Sequence, residues 1–467
     1  MLGLALVTLA IGLATILVYG GQDILLDREN TARARTLAEE GIYAARAILS
    51  ENWAGVMDGV HGISFTVGTW AFVGTSTVTD IFIRAVYVTT TSSDLRVVRS
   101  VVTWDPTPSR SRNVELVTLA ANWEIVEETG GDTGGGNPSG DWQNPRTLGS
   151  IDLGPGNSAT DLDVKNKIVY LTAEASDSKK PDFFVVDSTN GQSPFIAGSV
   201  NTGPGLLAVD AAGTYAYVGN KATNAQLQVI EIANQGAPIV RASLKLQGVS
   251  GSGAVGQSVF YFNQTVYVGT KRATGPEFHI VDVSDPLNPL ERGNLEVNAD
   301  VNAIYVRDGV AYLATSDEEE LKIVDITDPT TPVSIGGYDA PGSSEDGKAI
   351  DLAGTTLYFG RLLGGSHSDH HELHVLNVAS SSAVVNLGSQ NFTTDINDLR
   401  VRSTLAFLGT SDANREFQVW NVSNPTAVLL LSSFNFPQVA TGVDYEDNLV
   451  YISVRSNDGL RIITSSP

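Results

Sequence analysis

A short segment recurs over roughly the last two thirds of the chain and restricts the possible folds more than any other feature. Each copy is an apolar run that ends in a polar turn, as in FHIVDVSDPLNP and LKIVDITDPTTP. A strand-like segment such as TVYVGT or VAYLAT precedes the run. We call the residue that closes each run a landmark, and the landmarks are Asp187, Glu231, Asp282, Asp325, Asn377, Asn421 and Thr464. Their spacing of 43 to 52 residues indicates a set of equivalent structural units.

Units of this size predict the blades of a β-propeller, because about 45 residues accommodate four short antiparallel strands. Seven landmarks predict seven blades over residues 143–467. The seventh blade lacks an outer strand at the end of the sequence, and residues 145–153 (PRTLGSIDL) fit that strand. We therefore expect residues 145–153 to pair into the last blade and close the ring, which removes two exposed sheet edges.

The repeats resemble the LVIVD-type repeats of prokaryotic surface proteins. Asp285–Pro286 and Asp328–Pro329 follow two of the landmarks. Both pairs favour tight turns, since an Asp side chain bonds the backbone that follows it and Pro presets φ. We interpret these residues and the landmarks as turn formers and not as ligands.

The beginning of the chain has a different pattern. Residues 1–22 carry no charge in a protein whose formal net charge is -23. About 20 apolar residues suffice for a helix to cross the hydrocarbon of a membrane. Residues 23–52 continue with an apolar stripe at intervals of 4, 3 and 4 residues, as in an amphipathic helix: Leu37, Gly41, Ala44 and Ile48. We predict one long helix over residues 1–53, apolar in its first part and amphipathic in its second.

The predicted helix contains the segment ARTLAEEGIYAARAILSENW, and a β-rich segment that ends in NVELVTLAANW follows it. Together these segments resemble the type IV pilin family. The resemblance implies that the apolar part leaves the inner membrane and packs against copies of itself in a helical homopolymer. Bacterial members usually carry Glu at the fifth position, where this chain has Ala5, so their way of setting register is in doubt here. The residues implied to pack in the filament core are Leu2, Leu4, Leu6, Leu9, Ile11, Leu13, Ile16 and Leu17.

Gly20 and Gly21 stand side by side in the predicted helix. Each weakens a helix by about 1 kcal/mol relative to Ala, so the helix is expected to be flexible there. The alternative is that the two small residues allow close helix packing.

A small antiparallel sheet is predicted over residues 54–127, and a tether over residues 128–142. The segment TDIFIRAVYVTT alternates, and we expect one of its faces to lie on the second half of the helix. That face is Ile81, Ile83, Ala85 and Tyr87. The segment ETGGDTGGGNPSGDW holds six Gly and almost no apolar residues, which is typical of a flexible linker.

Together these segments predict a multi-domain fold class, α+β and all-β. A long N-terminal α-helix with a small antiparallel β-sheet head of pilin type precedes a seven-bladed β-propeller. We expect a structural subunit of an extracellular, pilus-like filament that displays the propeller to bind an extracellular protein or glycan. The alternative is a membrane-anchored surface binding protein that never polymerises.

Four of the six His residues lie within residues 364–374, GGSHSDHHELH. Imidazole is a common ligand of zinc, copper and nickel, and Asp369 or Glu372 can complete a ligand shell. The candidate metal ligands are His367, Asp369, His370, His371 and His374. The alternative is a solvated insertion in a loop that tolerates sequence drift.

Composition excludes several functions. The chain has no Cys, which excludes disulfides, thiol catalysis and Cys-ligated zinc. With 52 acidic against 29 basic residues, it lacks the basic surface that nucleic acid requires. No catalytic motif lies in a supporting context, so we expect neither an enzyme nor a cofactor.

Overall fold

The computed structural model describes residues 30–49, 56–66, 69–90, 95–107, 110–121, 137–175, 179–342, 346–363, 370–381 and 383–466. Of these residues, 58% lie in strands and 5% in helix. The chain divides into two compact units, Met1–Glu127 and Glu128–Pro467.

The first unit contains one helix within its described residues, α1 at 30–49, and a six-stranded antiparallel sheet. The order in the sheet is β2-β1-β4-β5-β6, and β3 pairs with β4. The strands are β1 (Gly59–Thr66), β2 (Thr69–Val73), β3 (Thr77–Thr79), β4 (Phe82–Thr90), β5 (Leu95–Thr107) and β6 (Arg110–Ala121).

Helix α1 packs on this sheet through small side chains. Ala34, Ala38 and Ala45 are fully buried, so the helix backbone approaches the strands closely. At Gly41 an added Cβ would lie 2.2 Å from Oγ of Ser100, so only glycine fits this contact. The predicted stripe lies on this side of α1: Gly41 and Ala44 are buried, and Leu37 and Ile48 are half-buried.

The face of β4 that packs against α1 is the opposite of the predicted face. Phe82, Val86 and Val88 of β4 are buried in the cores shared with α1, whereas Ile83 is 48% exposed. Both faces of β4 carry apolar residues, so alternation alone did not distinguish them. Arg84 identifies the inner face, because its Nη1 donates to Oε2 of Glu40 on α1 at 2.6 Å.

The predicted fold class is wrong in its α+β part. The described residues are nearly all β, and their single helix is 20 residues long, not the predicted rod over residues 1–53. Residues 1–29 and 50–53 lie outside the described residues. The physical reason is that long strands, led by the 13-residue β5, account for most of the described residues of this unit. No described helix is both long and apolar enough to span a membrane.

The second unit consists, within its described residues, of seven four-stranded antiparallel sheets. The inner strands are β8 (Asn157–Lys165), β12 (Leu206–Ala212), β16 (Gly256–Phe262), β20 (Val301–Arg307), β24 (Gly347–Ala353), β28 (Ile396–Arg402) and β32 (Ala440–Glu446). The second strands are β9 (Ile168–Ala175), β13 (Tyr215–Asn220), β17 (Thr265–Thr270), β21 (Val310–Thr315), β25 (Thr356–Arg361), β29 (Leu405–Thr410) and β33 (Leu449–Val454). The third strands are β10 (Phe183–Asp187), β14 (Leu227–Glu231), β18 (Phe278–Asp282), β22 (Leu321–Asp325), β26 (Leu373–Asn377), β30 (Phe417–Asn421) and β34 (Leu460–Ser466). The outer strands are β11 (Phe195–Val200), β15 (Ile239–Leu244), β19 (Leu290–Leu295), β23 (Val333–Tyr338), β27 (Val385–Gln390), β31 (Leu429–Phe434) and β7 (Asp141–Ile151).

The seven sheets form a closed ring. Each inner strand contacts the inner strand of the next sheet, and β32 contacts β8. The last sheet is completed by β7, which precedes the first blade in the chain and pairs antiparallel with β34. This is the segment for which the sequence suggested ring closure, although β7 begins at Asp141 and so includes two residues assigned to the tether.

The hydrophobic core lies between neighbouring blades. One cluster joins Phe278 and Ile280 of one blade to Val301 and Leu313 of the next, and the other blades repeat this arrangement. Outer strands also approach the next blade closely. An added Cβ at Gly388 would lie 1.9 Å from the carbonyl oxygen of Pro425, so glycine is required at this contact.

Candidate functional site

The two faces of the propeller differ in the regularity of their loops. On one face, which we call the turn face, two residues always join the first and second strands, and seven residues join the third and outer strands of the first six blades, as in residues 188–194 and 326–332. The two-residue turns have positive φ at both positions in four blades, as at Asn263 and Gln264, which matches the right-handed twist of a hairpin.

The opposite face, which we call the loop face, carries connections of unequal length. Between the second and third strands they range from five residues (316–320) to eleven (362–372). Blade-to-blade connections range from five residues to the eleven of 245–255. The two long landmark intervals of the sequence, 51 and 52 residues, arise from these insertions. Variable loops on a rigid scaffold are the usual location of binding residues.

A repeated hydrogen bond fixes the base of the loop face. In six blades the residue just before the third strand accepts a hydrogen bond from a backbone N–H 20 residues later. In Glu372 the acceptor is Oε2 and the donor is the amide of Phe392, at 2.5 Å. We call these residues the clamps: Asp182, Gln226, Glu277, Glu320, Glu372 and Glu416.

Buried carboxylates on the inner strands join five of the seven pairs of neighbouring blades. The carboxylate of Asp444 accepts the backbone N–H of Val164 at 2.8 Å, across the closure of the ring. Asp161 and Asp163 accept the amides of Val209 and Ala211 in the same order along the chain, so these neighbouring inner strands run in the same direction, which places loops of one kind on one face. These inner-strand carboxylates are Asp161, Asp163, Asp210, Asp351, Asp398 and Asp444.

Burial changes the acidity of these groups. It raises the pKa of Asp161 to about 8, and the neighbouring Asp398 adds to the rise. Burial also raises the pKa of Asp163 to about 8, against the attraction of Lys165. For Asp210 burial raises the pKa to about 6. The axis of the ring therefore retains protons at neutral pH that the unfolded chain would release.

We expect the free energy of unfolding to fall as pH rises from about 6.5 to about 8. The folded-state pKa values of Asp161 and Asp163 lie above the ordinary value, so the folded protein binds more protons and loses this advantage as they ionise. Below pH 6.5 His374 acts in the opposite direction, because burial lowers its pKa to about 3. Urea unfolding of the full chain at pH 6.5, 7.5 and 8.5 measures the effect.

Asp161→Asn provides the control for this pH dependence. The variant lacks one of the ionising groups, so its stability should change less between pH 6.5 and 8.5 even if its stability is lower throughout. An unchanged slope in this variant, or a wild-type stability that rises over the same window, contradicts the assignment.

The ring nitrogens of two described candidates for metal binding, His371 and His374, already have partners within the protein. Nε2 of His374 lies 3.0 Å from the carbonyl oxygen of His371, to which it donates, and its Nδ1 lies near the hydroxyl of Tyr338. Nδ1 of His371 is 2.6 Å from Oγ of Ser389. His370 is half-buried, and its carbonyl accepts from the amide of Asn391. Glu372 serves as a clamp.

No group of three or more His, Asp or Glu side chains within the described residues is placed to hold a metal ion. His367 and Asp369 lie outside those residues, so metal binding by the His segment stays a prediction. The predicted filament-core residues, Ala5, Gly20 and Gly21 also lie outside the described part of the chain.

Five of the seven landmarks act as turn formers, as the sequence predicted, because each accepts the backbone N–H two residues later: Asp187, Asp282, Asp325, Asn377 and Asn421. Oδ1 of Asp325 accepts from the backbone and hydroxyl of Thr327 at 2.9 and 2.7 Å. Oδ1 of Asp328 makes the same pair of contacts with Thr330. These Asx turns use the carboxylates locally and leave them facing the turn.

Comparison with known proteins agrees with this architecture. The LVIVD repeat model matches residues 208–245, 266–297 and 299–340, so the chain contains LVIVD repeats in a β-propeller-like fold. This confirms the repeat and propeller predictions. The comparisons show no pilin signature. No curated protein matches the sequence.

Several solved propellers share the fold at low sequence identity. The WD40 β-propeller domain of Doa1 has a TM-score of 0.51 and 11% identity, over 69% of this chain and 97% of that one. The Cps50 (Swd1) propeller of Myceliophteria thermophila has a TM-score of 0.52 and 8% identity, over 69% and 100%. Virginiamycin B lyase of Staphylococcus aureus, solved with quinupristin, has a TM-score of 0.52 and 10% identity, over 69% and 100%. At these identities the likeness concerns the fold alone.

Sequence reasoning missed the clamps and the inner-strand carboxylates. The clamps had a usable signal, since an acidic or amide residue precedes six of the seven apolar runs. The inner-strand carboxylates gave little signal in the sequence, because Phe260 and Tyr305 occupy the same position in other blades.

Proposed function

We propose that the propeller is a non-catalytic binding module that takes its ligand, an extracellular protein or glycan, on the loop face. The observation that carries this proposal is the contrast between faces: turn-face connections are constant in length, and loop-face connections range from five to eleven residues. Selection for a stable scaffold accounts for the first pattern, and a surface adapted to a ligand accounts for the second.

Two observations favour binding over catalysis. The inner-strand carboxylates already accept backbone N–H bonds between blades, so their oxygens are already used to hold the ring. His374, the most buried of the described His candidates, donates to a backbone carbonyl and has a strongly lowered pKa, caused mainly by burial. Virginiamycin B lyase shows that a propeller of this shape also supports an enzyme, so catalysis remains the alternative to test.

A loop exchange tests the binding face. Residues 362–372 are replaced by residues 411–416 of the next blade, which retains a clamp, since Glu416 is equivalent to Glu372. In the control, turn-face residues 283–289 are replaced by residues 326–332, which have the same length. Binding of the full chain to glycan arrays and extracellular matrix proteins should fall at least tenfold in the first variant and stay within twofold in the second. Equal loss in both variants, or loss only in the control, refutes the proposal.

We further propose that residues 1–22 hold the propeller at the cell surface, as the core of a pilus-like filament that is inserted in the membrane before assembly. Their uncharged composition supports this, since apolar segments are stable both in lipid and against one another. The alternative is a membrane anchor that does not polymerise. Electron microscopy of sheared cell surfaces with antibody against the propeller separates the two: labelled fibres support the filament, and label confined to membranes supports the anchor.

A further inference from the structure

Basic residues converge on the axis at the loop face. Each blade from the second to the seventh has a residue directly after its second strand whose backbone N–H donates to the residue just before the inner strand, at 2.8 to 3.3 Å. These residues surround the opening of the axial channel, and we call them the mouth ring: Lys221, Lys271, Ser316, Leu362, Ser411 and Arg455. Lys348, the second residue of β24, lies just inside the same opening.

Three of these cations have no carboxylate partner. Within the part of the chain that the structure describes, no ion pair or side-chain hydrogen bond is made by Lys271, Lys348 or Arg455. Lys221 differs, because its Nζ is 3.0 Å from Oε1 of Glu174. Unpaired cations are unexpected in a protein with 52 acidic and 29 basic residues.

Two of these cations act on the third. Burial lowers the pKa of Lys348, and the positive charges of Lys271 and Arg455 add to this, although the three side chains come from the fifth, third and seventh blades. The arrangement therefore places like charges near one another at the loop-face end of the ring. Asp161 and Asp398 favour the charged form of Lys348, but they make no direct contact with it.

The surrounding acidic groups already accept hydrogen bonds or have raised pKa values. Both carboxylate oxygens of Asp161 accept backbone N–H bonds, at 2.9 Å each. Oδ2 of Asp398 accepts the N–H of Val443, and Oδ1 of Asp300 accepts that of Arg272. Burial raises the pKa of Asp346, the charge of Asp300 adds to the rise, and the charge of Lys348 opposes it without direct contact. The acidic groups position backbone, and the cations remain available to a ligand.

We infer that Lys271, Lys348 and Arg455 bind one oxyanion group, a carboxylate or a phosphate, of the ligand that enters the channel mouth. Two lysines supply point charges from two blades, and the planar guanidinium of Arg455 supplies paired donors from a third. The inference rests on the proposed binding role of the loop face and specifies the chemistry of its ligand.

Calorimetric titration of the purified full chain with inorganic phosphate and with acetate, at constant ionic strength, tests the site. We expect saturable binding of at least one of these anions, with one site per chain. The anion with the higher affinity shows whether the site prefers a phosphate or a carboxylate. The double variant Lys271→Ala, Arg455→Ala should weaken the affinity at least tenfold. Both residues are exposed, so the variant is expected to fold.

The control removes the same charge elsewhere. Arg146 lies in the outer strand β7, and Arg241 lies near the turn-face end of the outer strand β15; both are exposed. Arg146→Ala, Arg241→Ala should change anion affinity less than twofold. Absence of saturable binding for both anions, or equal weakening in the control, overturns the anion site. If the loop exchange still abolishes ligand binding in that case, the binding role stands and only the anion site is lost.

Discussion

Replacing Arg361 with Met is expected to destabilise the propeller by about 3–5 kcal/mol, because it leaves the carboxylate of Glu320 buried without its cation. Both side chains are buried, and Nη2 of Arg361 in the fifth blade contacts Oε1 of Glu320 in the neighbouring fourth blade. Nη1 of Arg361 also donates to the carbonyls of Pro341 and His371, at 3.3 and 3.2 Å. Urea unfolding followed by circular dichroism measures the loss.

The double variant Arg361→Met, Glu320→Gln is the matched control. It removes the buried charge and keeps an oxygen that can accept the amide of Ala340, which now donates to Oε2 of Glu320 at 2.9 Å. We expect it to recover a substantial part of the stability lost in the single variant. If the single variant costs less than about 1 kcal/mol, or the double variant loses more than the single one, this ion pair does not have the assigned role.

Replacing Trp142 with Ala is expected to cost about 3–5 kcal/mol, the usual range for removing a buried aromatic side chain. Trp142 lies in β7, is only 4% exposed and packs against Phe407 with ring centroids 4.8 Å apart. Its Nε1 donates to Oδ1 of Asn448 at 3.3 Å. Because β7 completes the last blade, the loss should also open the ring and increase protease cleavage near residues 137–151.

Gln143→Ala is the control for this variant, since Gln143 is the exposed neighbour of Trp142 in the same strand. Its unfolding should match that of the unmodified chain within about 0.5 kcal/mol. Similar losses in the two variants, or resistance of Trp142→Ala to protease, indicate that the packing of Trp142 does not hold the ring closed.

Blade structure was predictable because its signals are local. The landmark Asp325 bonds Thr327, two residues away, so the turn chemistry is present in a short segment. The length of the repeat likewise indicates the number of strands in each blade, since four short strands and their turns require about 45 residues. The family match and the fold confirm this part of the prediction.

The candidate site was predictable only in part. His374 and Glu372 stand close in sequence to other possible ligands, and that proximity suggested a metal site. In the structure Glu372 bonds the amide of Phe392 and His374 donates to His371. Sequence proximity does not show that another part of the fold already uses a side chain, and this limits any prediction of ligands from composition.

The sequence by itself determined the repeating strand pattern, the chemistry of the turns and the uncharged character of the first 22 residues, because each depends on residues near one another in the chain. Tertiary structure alone decided which face of β4 meets α1, which carboxylates join neighbouring blades and which cations gather at the channel mouth. Lys271, Lys348 and Arg455 are up to 184 residues apart, and only closure of the ring brings them together. Such contacts depend on how the blades are arranged around the ring, and no local sequence pattern encodes that arrangement.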